Sequence, residues 1–466
     1  MSRVDELQKK YPTIPRSLII HRDIHSHGVK PTQVLAGLST YDRSVIYQSR
    51  DNEVTLEDIT KQNPGSARPG FVAQTPMPFL KDGFGLRIIR DPRSNYEFRE
   101  EGPDKYGLYE GEEKVDDLYF PKSKDWSDDP DREPRTSAGT PVTSLVRMKR
   151  RCWQIVPVRF CEYFTTGDEC KFCNLNATYD DAASAFGVRH AKTINLDDTV
   201  EAFKIIASSM PPLIEGRLVM GGFSDSDKEM KVHLGFIEQL AKATSYMPNH
   251  GISTQPPTRA TLQRLKDAGI STINMNMEVW DRRLFEEICP GKASYRGYDH
   301  YLETFQDAVE VFGWGSVGTN LIGGVTLLPI DGHRTWQEAR DSTIEGVQWL
   351  IKHGVLPFIE TIVLGAGSPY GNDQAGNRPK LPPTDLFLDV AMAHHQACKE
   401  YGMYERMNRL LWCPLDCAHA GYVGQLGMVE VAGDIGKWAA TCVPEDGNWI
   451  GRFIESFKAP AKTLQS

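Results

Sequence analysis

Cys161-Glu-Tyr-Phe-Thr-Thr-Gly-Asp-Glu-Cys170-Lys-Phe-Cys173 carries three thiols on one short stretch. Thiolates are soft ligands that suit iron–sulfur clusters or zinc. The two-residue gap between Cys170 and Cys173 lets one turn deliver two sulfurs to one centre. The longer gap gives Cys161 a loop with which to return to it. Three sulfurs without an evident fourth leave a metal position open, as a catalytic cluster requires and a structural site avoids. Two other readings of the triplet stay open: a zinc knuckle completed by a distant ligand, and reduced cysteines that bind nothing.

Other groups could also do chemistry. Cys413, Cys417 and His419, with Cys442 further on, could hold a second cluster or metal, although their spacing lacks a C-x2-C pair. Cys289 reads as buried or incidental. His21, His25 and His27 would share one face of a strand, but no carboxylate–histidine pattern completes a metal site, so a polar strand end or turn is the plainer reading. Arg147-Met-Lys-Arg-Arg151 is a basic cluster, ordinarily a solvated face, that could draw an anionic substrate or an acidic electron donor.

The whole chain limits what these residues can serve. It has 466 residues, 40% of them hydrophobic and 25% charged, with a formal net charge of −9 and a pI near 5.8. That is ordinary for a soluble globular protein and argues against a general nucleic-acid binder. No apolar run approaches the ~20 residues of a membrane span. The first residues have no apolar signal core, so a cytoplasmic location and no membrane partner are expected. Nine cysteines, an odd number in so long a chain, do not read as a disulfide framework.

The elements that must position the triplet begin near residue 146. Residues 1–145 read as a small β-rich or irregular extension. Strand-like runs at Ser17–His21 and Gly85–Ile89 stand among Pro, Gly and Asp, and a charged stretch from about 97 to 134 reads as an exposed loop or linker. From Cys152 onward, six strand patterns alternate with helical ones, ending in the helix from Pro383 to Gly402. Such alternation makes a parallel sheet, and six units suit a partial (βα)6 TIM-like barrel, with chemistry at the C-terminal strand ends. The first strand delivers the cysteine loop at such an end. Residues 146–402 are read as this barrel, and 403–466 as a C-terminal extension closing it.

The triplet, with Phe172 before the last cysteine, resembles a variant, C-x8-C-x2-C, of the cluster loop of the radical S-adenosylmethionine (SAM) superfamily. The resemblance covers about residues 152–402 and is closest to the biotin synthase and methylornithine synthase branch. It implies that Cys161, Cys170 and Cys173 hold three irons of a [4Fe–4S] cluster and that SAM chelates the fourth. It further implies reductive cleavage of SAM to a 5′-deoxyadenosyl radical that takes hydrogen from a small organic substrate. The electron would come from an external donor of flavodoxin or ferredoxin type.

The same resemblance proposes SAM contacts. Gly221 and Gly222 match a Gly-Gly-Glu-type motif for the methionine amino group, without its glutamate. Thr254 ends the third strand. Glu278, at the end of the fourth, would meet ribose hydroxyls. Asn320, Gly323 and Gly324 resemble an adenine and ribose element that lacks its final acid. Tyr370 could stack on adenine, and Arg296 could pair with the methionine carboxylate. The other classes are a zinc metalloprotein on the same barrel and a non-catalytic protein that binds SAM or a cluster.

Overall fold

The computed structural model describes residues 1–38, 40–42, 72–74, 78–81, 85–120, 132–149, 152–175, 192–209, 215–219, 222–243, 249–329, 331–362, 368–372 and 382–406. Cys413, Cys417, His419, Cys442, Gly221 and nearly all of the expected C-terminal extension lie outside them.

The N-terminal part begins with helix α1 (Arg3–Lys10). A reciprocal capping box starts it: the Asp5 amide donates to Ser2 Oγ, and the Ser2 amide donates to the Asp5 carboxylate. Helix α2 (Arg16–His27) follows where a strand was expected at Ser17–His21. Every residue from Ser17 to Ser26 is buried, so the apolar residues show no one-sided period and Leu18-Ile19-Ile20 reads as a strand. Helical geometry puts His21 and His25 one turn apart, with ring centroids 5.5 Å from each other, while His27 turns toward Asp23. Gly28 closes the helix at φ +70°, where a Cβ would lie 2.6 Å from that of Asp91. After α3 (Gln33–Gly37) come the paired strands β1 (Thr40–Asp42) and β2 (Val72–Gln74).

A second correction concerns the charged stretch up to residue 120; residues 121–131 lie outside the described ones. β3 (Phe79–Leu80), β4 (Tyr96–Gly102), β5 (Lys105–Glu110) and β6 (Glu113–Tyr119) form an antiparallel sheet in the order β3-β6-β5-β4. Tyr96, Phe98, Leu108, Val115 and Leu118 point inward, and the charges occupy the solvated face. There Arg99 pairs with Glu97 and Glu112, and Lys114 with Glu101. A half-buried sheet carries charge at alternate positions, and this density of charge read as loop. Among the described residues Gly85–Ile89 forms no strand; single bridges flank it, Phe79 to Gly85 and Val29 to Arg90.

The main sheet has seven strands. β7 (Val146–Lys149) runs antiparallel to β8 (Cys152–Ile155). The loop after β8 contains the short helix α4 (Tyr163–Thr166). Then β9 (Glu215–Val219), β10 (Asn249–Ser253), β11 (Thr272–Asn274), β12 (Val317–Gly323) and β13 (Val355–Thr361) add one after another, all parallel. β8 to β13 are thus six parallel strands in chain order, and the fold is α/β.

Helices lie between the strands: α5 (Leu196–Ser209), α6 (Ser226–Ala243) and α7 (Arg259–Asp267); then α8 (Arg282–Ile288), α9 (Pro290–Tyr295) and α10 (Tyr298–Phe312), divided at Pro290 and Gly297; and α11 (Trp336–Lys352). After β13 come α12 (Pro369–Asn372), α13 (Thr384–Glu400) and α14 (Met403–Arg406). Strand and helix side chains share one apolar cluster, with Trp153 of β8 set edge-on to Phe203 of α5 at 5.2 Å. Among the described residues β7 and β13 do not pair with each other, so the sheet is open.

The N-terminal part docks along β13 and α13. Leu388 and Ala391 of α13 belong to the same cluster as Leu18, Ile20 and Phe98. The buried Asp23 carboxylate accepts from Thr384 and from Arg3 of α1, and from Tyr96 at 2.5 Å.

Candidate active site

The cysteine loop leaves β8 and is clasped from three sides. The Glu162 amide donates to the Gly222 carbonyl at 2.9 Å. The Lys171 amide donates to Ile288 at 2.9 Å, and its carbonyl accepts from Tyr370 at 2.9 Å. The Gly291 amide closes on Asp168 at 2.9 Å. Segments following β9, β11 and β13 therefore fix one loop. Its centre is Tyr163, buried in a slot between Gly222 and Gly291. A Cβ on Gly222 would lie 2.5 Å from the Tyr163 ring and 3.1 Å from Cys161 Sγ, and one on Gly291 would lie 2.6 Å from the same ring. Tyr163 stacks on Tyr295 at 5.6 Å and donates to the Phe223 carbonyl at 3.1 Å.

All three cysteines are partly exposed, and their thiols act on one another electrostatically. Burial pushes the Cys161 thiol up to about 11, against backbone N–H groups of Tyr163 and Gly222 that favour its thiolate. Burial likewise raises Cys173. Cys170 is lowered by a hydrogen bond from Cys289, helped by the Lys292 charge. Cys289, expected to be incidental, is thus a buried partner of the loop.

Among the described residues no three His, Cys, Asp or Glu side chains form a ready shell for a single metal ion. The fourth zinc ligand that the sequence offers, Cys413, lies outside the described residues. The thiol donor set fits a cluster: three soft ligands on one loop, N–H groups aimed at one sulfur, and an accessible side.

Beside the loop lies a cavity of about 210 Å³ bordered by Phe160, Glu162, Tyr163, Thr166, Ser224 and Tyr295. That is below the roughly 300–1,000 Å³ of most ligand sites, so it suits part of a ligand. Glu162 is fixed on its rim by the Ser224 amide (3.1 Å), the Ser224 hydroxyl (2.9 Å) and Lys228. Burial alone would raise its carboxyl, but these partners hold it below the usual range.

At the end of the fourth strand Glu278 adopts φ +72°, rare for a side chain of its size. Its amide donates to Asn320 at 2.7 Å, and its carbonyl accepts from Ile322 at 2.8 Å. Its carboxylate takes the Lys292 ammonium at 2.8 Å, with side chains 12% and 7% exposed. Lys292 also donates to the Asn276 carbonyl at 2.5 Å. Burial is the largest single influence and would lower this ammonium, but Glu278 together with Tyr301, Cys170 and Cys289 holds it well above the usual lysine value.

Thr254 faces a buried carboxylate that the sequence reading missed. Glu229, in the first turn of α6, accepts from Thr254 Oγ1 at 2.5 Å and from the Gln255 amide at 3.0 Å. Gln255 in turn accepts from Tyr301 at 3.1 Å. A glutamate was sought directly after Gly222; Glu229 stands seven residues on and enters from the helix. Lys292 and Tyr163 were missed too, because nothing local marks a lysine or tyrosine for burial.

The remaining expected contacts stand apart. Arg296 donates to the Ser224 carbonyl at 3.2 Å and the Phe223 carbonyl at 3.4 Å, bracing that loop. Gly323 faces Phe387, 2.6 Å from a would-be Cβ, and Gly324 at φ +85° faces Pro382 at 2.4 Å. These packing contacts by themselves call for glycine at both positions. Tyr370 packs at the edge of the main core.

No family model and no curated protein sequence matches this chain. Among solved structures it is similar to methylornithine synthase (PylB), at 15% identity and a TM-score of 0.38, over 52% of this chain and 62% of that one. It is also similar to two structures of HydG, a maturase of the [FeFe]-hydrogenase. One is at 13% identity and a TM-score of 0.39, over 52% of this chain and 49% of that one. The other, from Carboxydothermus hydrogenoformans, is at 16% identity and a TM-score of 0.37, over 53% of this chain and 51% of that one. The chain therefore spans about half to three-fifths of the length of these neighbours, and at such TM-scores the likeness decides neither family nor function.

Proposed function

We propose that this chain is a radical SAM enzyme acting on a small organic substrate, built on a partial (βα)6 barrel over residues 146–402. One observation carries the reading: a partly exposed three-thiol loop leaves the first of six parallel strands that add in chain order, clasped by segments from three later strand ends. Cys161, Cys170 and Cys173 would hold a [4Fe–4S] cluster, with SAM on its open side. When bound, these groups supply reductive cleavage of SAM to a hydrogen-abstracting 5′-deoxyadenosyl radical, with an external one-electron donor of flavodoxin or ferredoxin type.

The chain's own residues give that chemistry a shaped site. Tyr163, wedged between Gly222 and Gly291, keeps Cys161 in place and excludes water behind it. Lys292 brings one positive charge to the thiolates, and Glu278 neutralises it when the site is empty of cluster. Glu278 bonds Lys292 through Oε1, leaving Oε2 as an acceptor for ribose hydroxyls. Thr254, held by Glu229, lines the third strand end. Asn320, through its carbonyl, fixes the Glu278 backbone. Gly221, Gly222, Gly323, Gly324 and Arg296 complete the proposed SAM set, Arg296 as the brace of the 223–224 loop.

The test is anaerobic reconstitution of the full chain with iron and sulfide, followed by dithionite and SAM, in parallel with Cys173→Ala. The reading requires about four irons per chain and 5′-deoxyadenosine only with the intact triplet. One zinc per chain and no nucleoside would replace it with a zinc protein. Four irons without nucleoside would leave a non-catalytic cluster binder.

A further inference from the structure

Arg22 lies inside the molecule, 1% exposed, on the α2 face that meets the last strand. Its only hydrogen bond among the described residues runs from Nη1 to the Ile359 carbonyl at 3.5 Å, the limit for such a bond. Nε is buried with no partner. A guanidinium carries five N–H donors, and each one left unmet in the interior is costly.

The charges around it do not balance. The carboxylate that acts on Arg22, that of Glu360, is bonded to the buried Arg87 at 2.7 Å. Asp23, next in the chain, is taken up by Arg3, Tyr96 and Thr384. Burial pushes the His21 and His394 imidazoles down to about 3 and about 4, so they bring no negative charge and no proton at neutral pH. Among the described residues two guanidinium groups thus face one carboxylate, and the surplus is a single positive charge.

We infer that the Nε–Nη2 edge of Arg22 is a binding site for the carboxylate of a small organic ligand. That edge is a planar fork matched to two carboxylate oxygens. A monoanion closes the charge account, whereas a phosphate dianion would need the second guanidinium that Glu360 already occupies. Phe387 lies under the Arg22 guanidinium at 5.9 Å and offers an apolar surface beside the anchor. The His25–Thr361 bond (3.0 Å) holds α2 against the C-terminal end of β13. That the ligand is the enzyme's substrate rests on the proposed function; that a carboxylate binds does not.

The experiment is thermal unfolding of the full chain, free of iron, in sodium acetate, propionate or phosphate against sodium chloride of equal ionic strength at neutral pH. The two carboxylates raise the midpoint above chloride, and more than phosphate does. Arg22→Gln weakens the carboxylate response at least about tenfold in concentration, yet unfolds in chloride no lower than the unmutated chain, because its donors were unmet. Arg22→Lys keeps the charge without the fork and responds weakly. The inference is overturned if carboxylates act no differently from chloride, if Arg22→Gln responds like the unmutated chain, or if phosphate stabilises more through Arg22. A large loss of stability for Arg22→Gln in chloride would instead make the guanidinium structural. None of these outcomes touches the iron assay.

Discussion

Removing the Lys292 ammonium should uncover how much of the strand-end architecture depends on one buried pair. In Lys292→Met the Glu278 carboxylate stays in a place where 12% of its side chain meets water, and the Asn276 carbonyl loses its donor. Breaking a buried pair by deleting one partner costs roughly 3–5 kcal/mol, because the survivor keeps its desolvation without its counter-charge. Glu278→Gln should cost less, since an amide is cheaper to bury than a carboxylate. The double variant should cost clearly less than the sum, with a coupling of about 1–3 kcal/mol. Backbone strain adds a second arm. Glycine at 278 accepts φ +72° freely, so Lys292→Met with Glu278→Gly should be about 1 kcal/mol more stable than Lys292→Met with Glu278→Gln. Equilibrium urea unfolding of the full chain, followed by tryptophan fluorescence, reads all four variants, and unchanged slopes license comparing the midpoints. Additive single costs, or a loss below about 1 kcal/mol for Lys292→Met, would refute the buried-pair reasoning.

Two further outcomes follow from the geometry. Gly222→Ala forces a Cβ to within 2.5 Å of the Tyr163 ring, so it should destabilise by roughly 1–3 kcal/mol and lower the iron bound after reconstitution, measured per chain against the unmutated protein. Stability should also fall in mild acid through His21 and His394. Their folded values, about 3 and about 4, lie below the unfolded value of 6.5, so the unfolded chain takes up protons first. The contribution is whole above about pH 6.5 and is lost as the pH falls through that value toward the folded ones, by about 2 kcal/mol per histidine at pH 5. A urea midpoint that does not drop between pH 7 and pH 5, or that drops equally in His394→Asn, would contradict this.

The sheet was legible because its strands are short apolar runs punctuated by glycine and set between periodic helices, and because a thiol triplet is rare enough to stand out by itself. What could not be read locally was charge taken inside. Arg22, Glu229 and Lys292 look like surface residues in the sequence, and only the docking of α2 on β13, of the first turn of α6 on the segment after β10, and of α9 beneath the cysteine loop buries them. Conversely, the charges of β4, β5 and β6 looked like a linker and are one face of a sheet. The glycines separate position from cause. Gly222, Gly323 and Gly324 were read as places where something approaches the backbone closely, and something does: Tyr163, Phe387 and Pro382. A glycine reports an approach without naming the visitor: packing alone calls for glycine at these three positions. A cofactor reading of these strand ends then rests on the groups that are not glycine, the three thiols and the strained Glu278 with its lysine. Those are the positions at which substitution separates a ligand site from a well-packed corner.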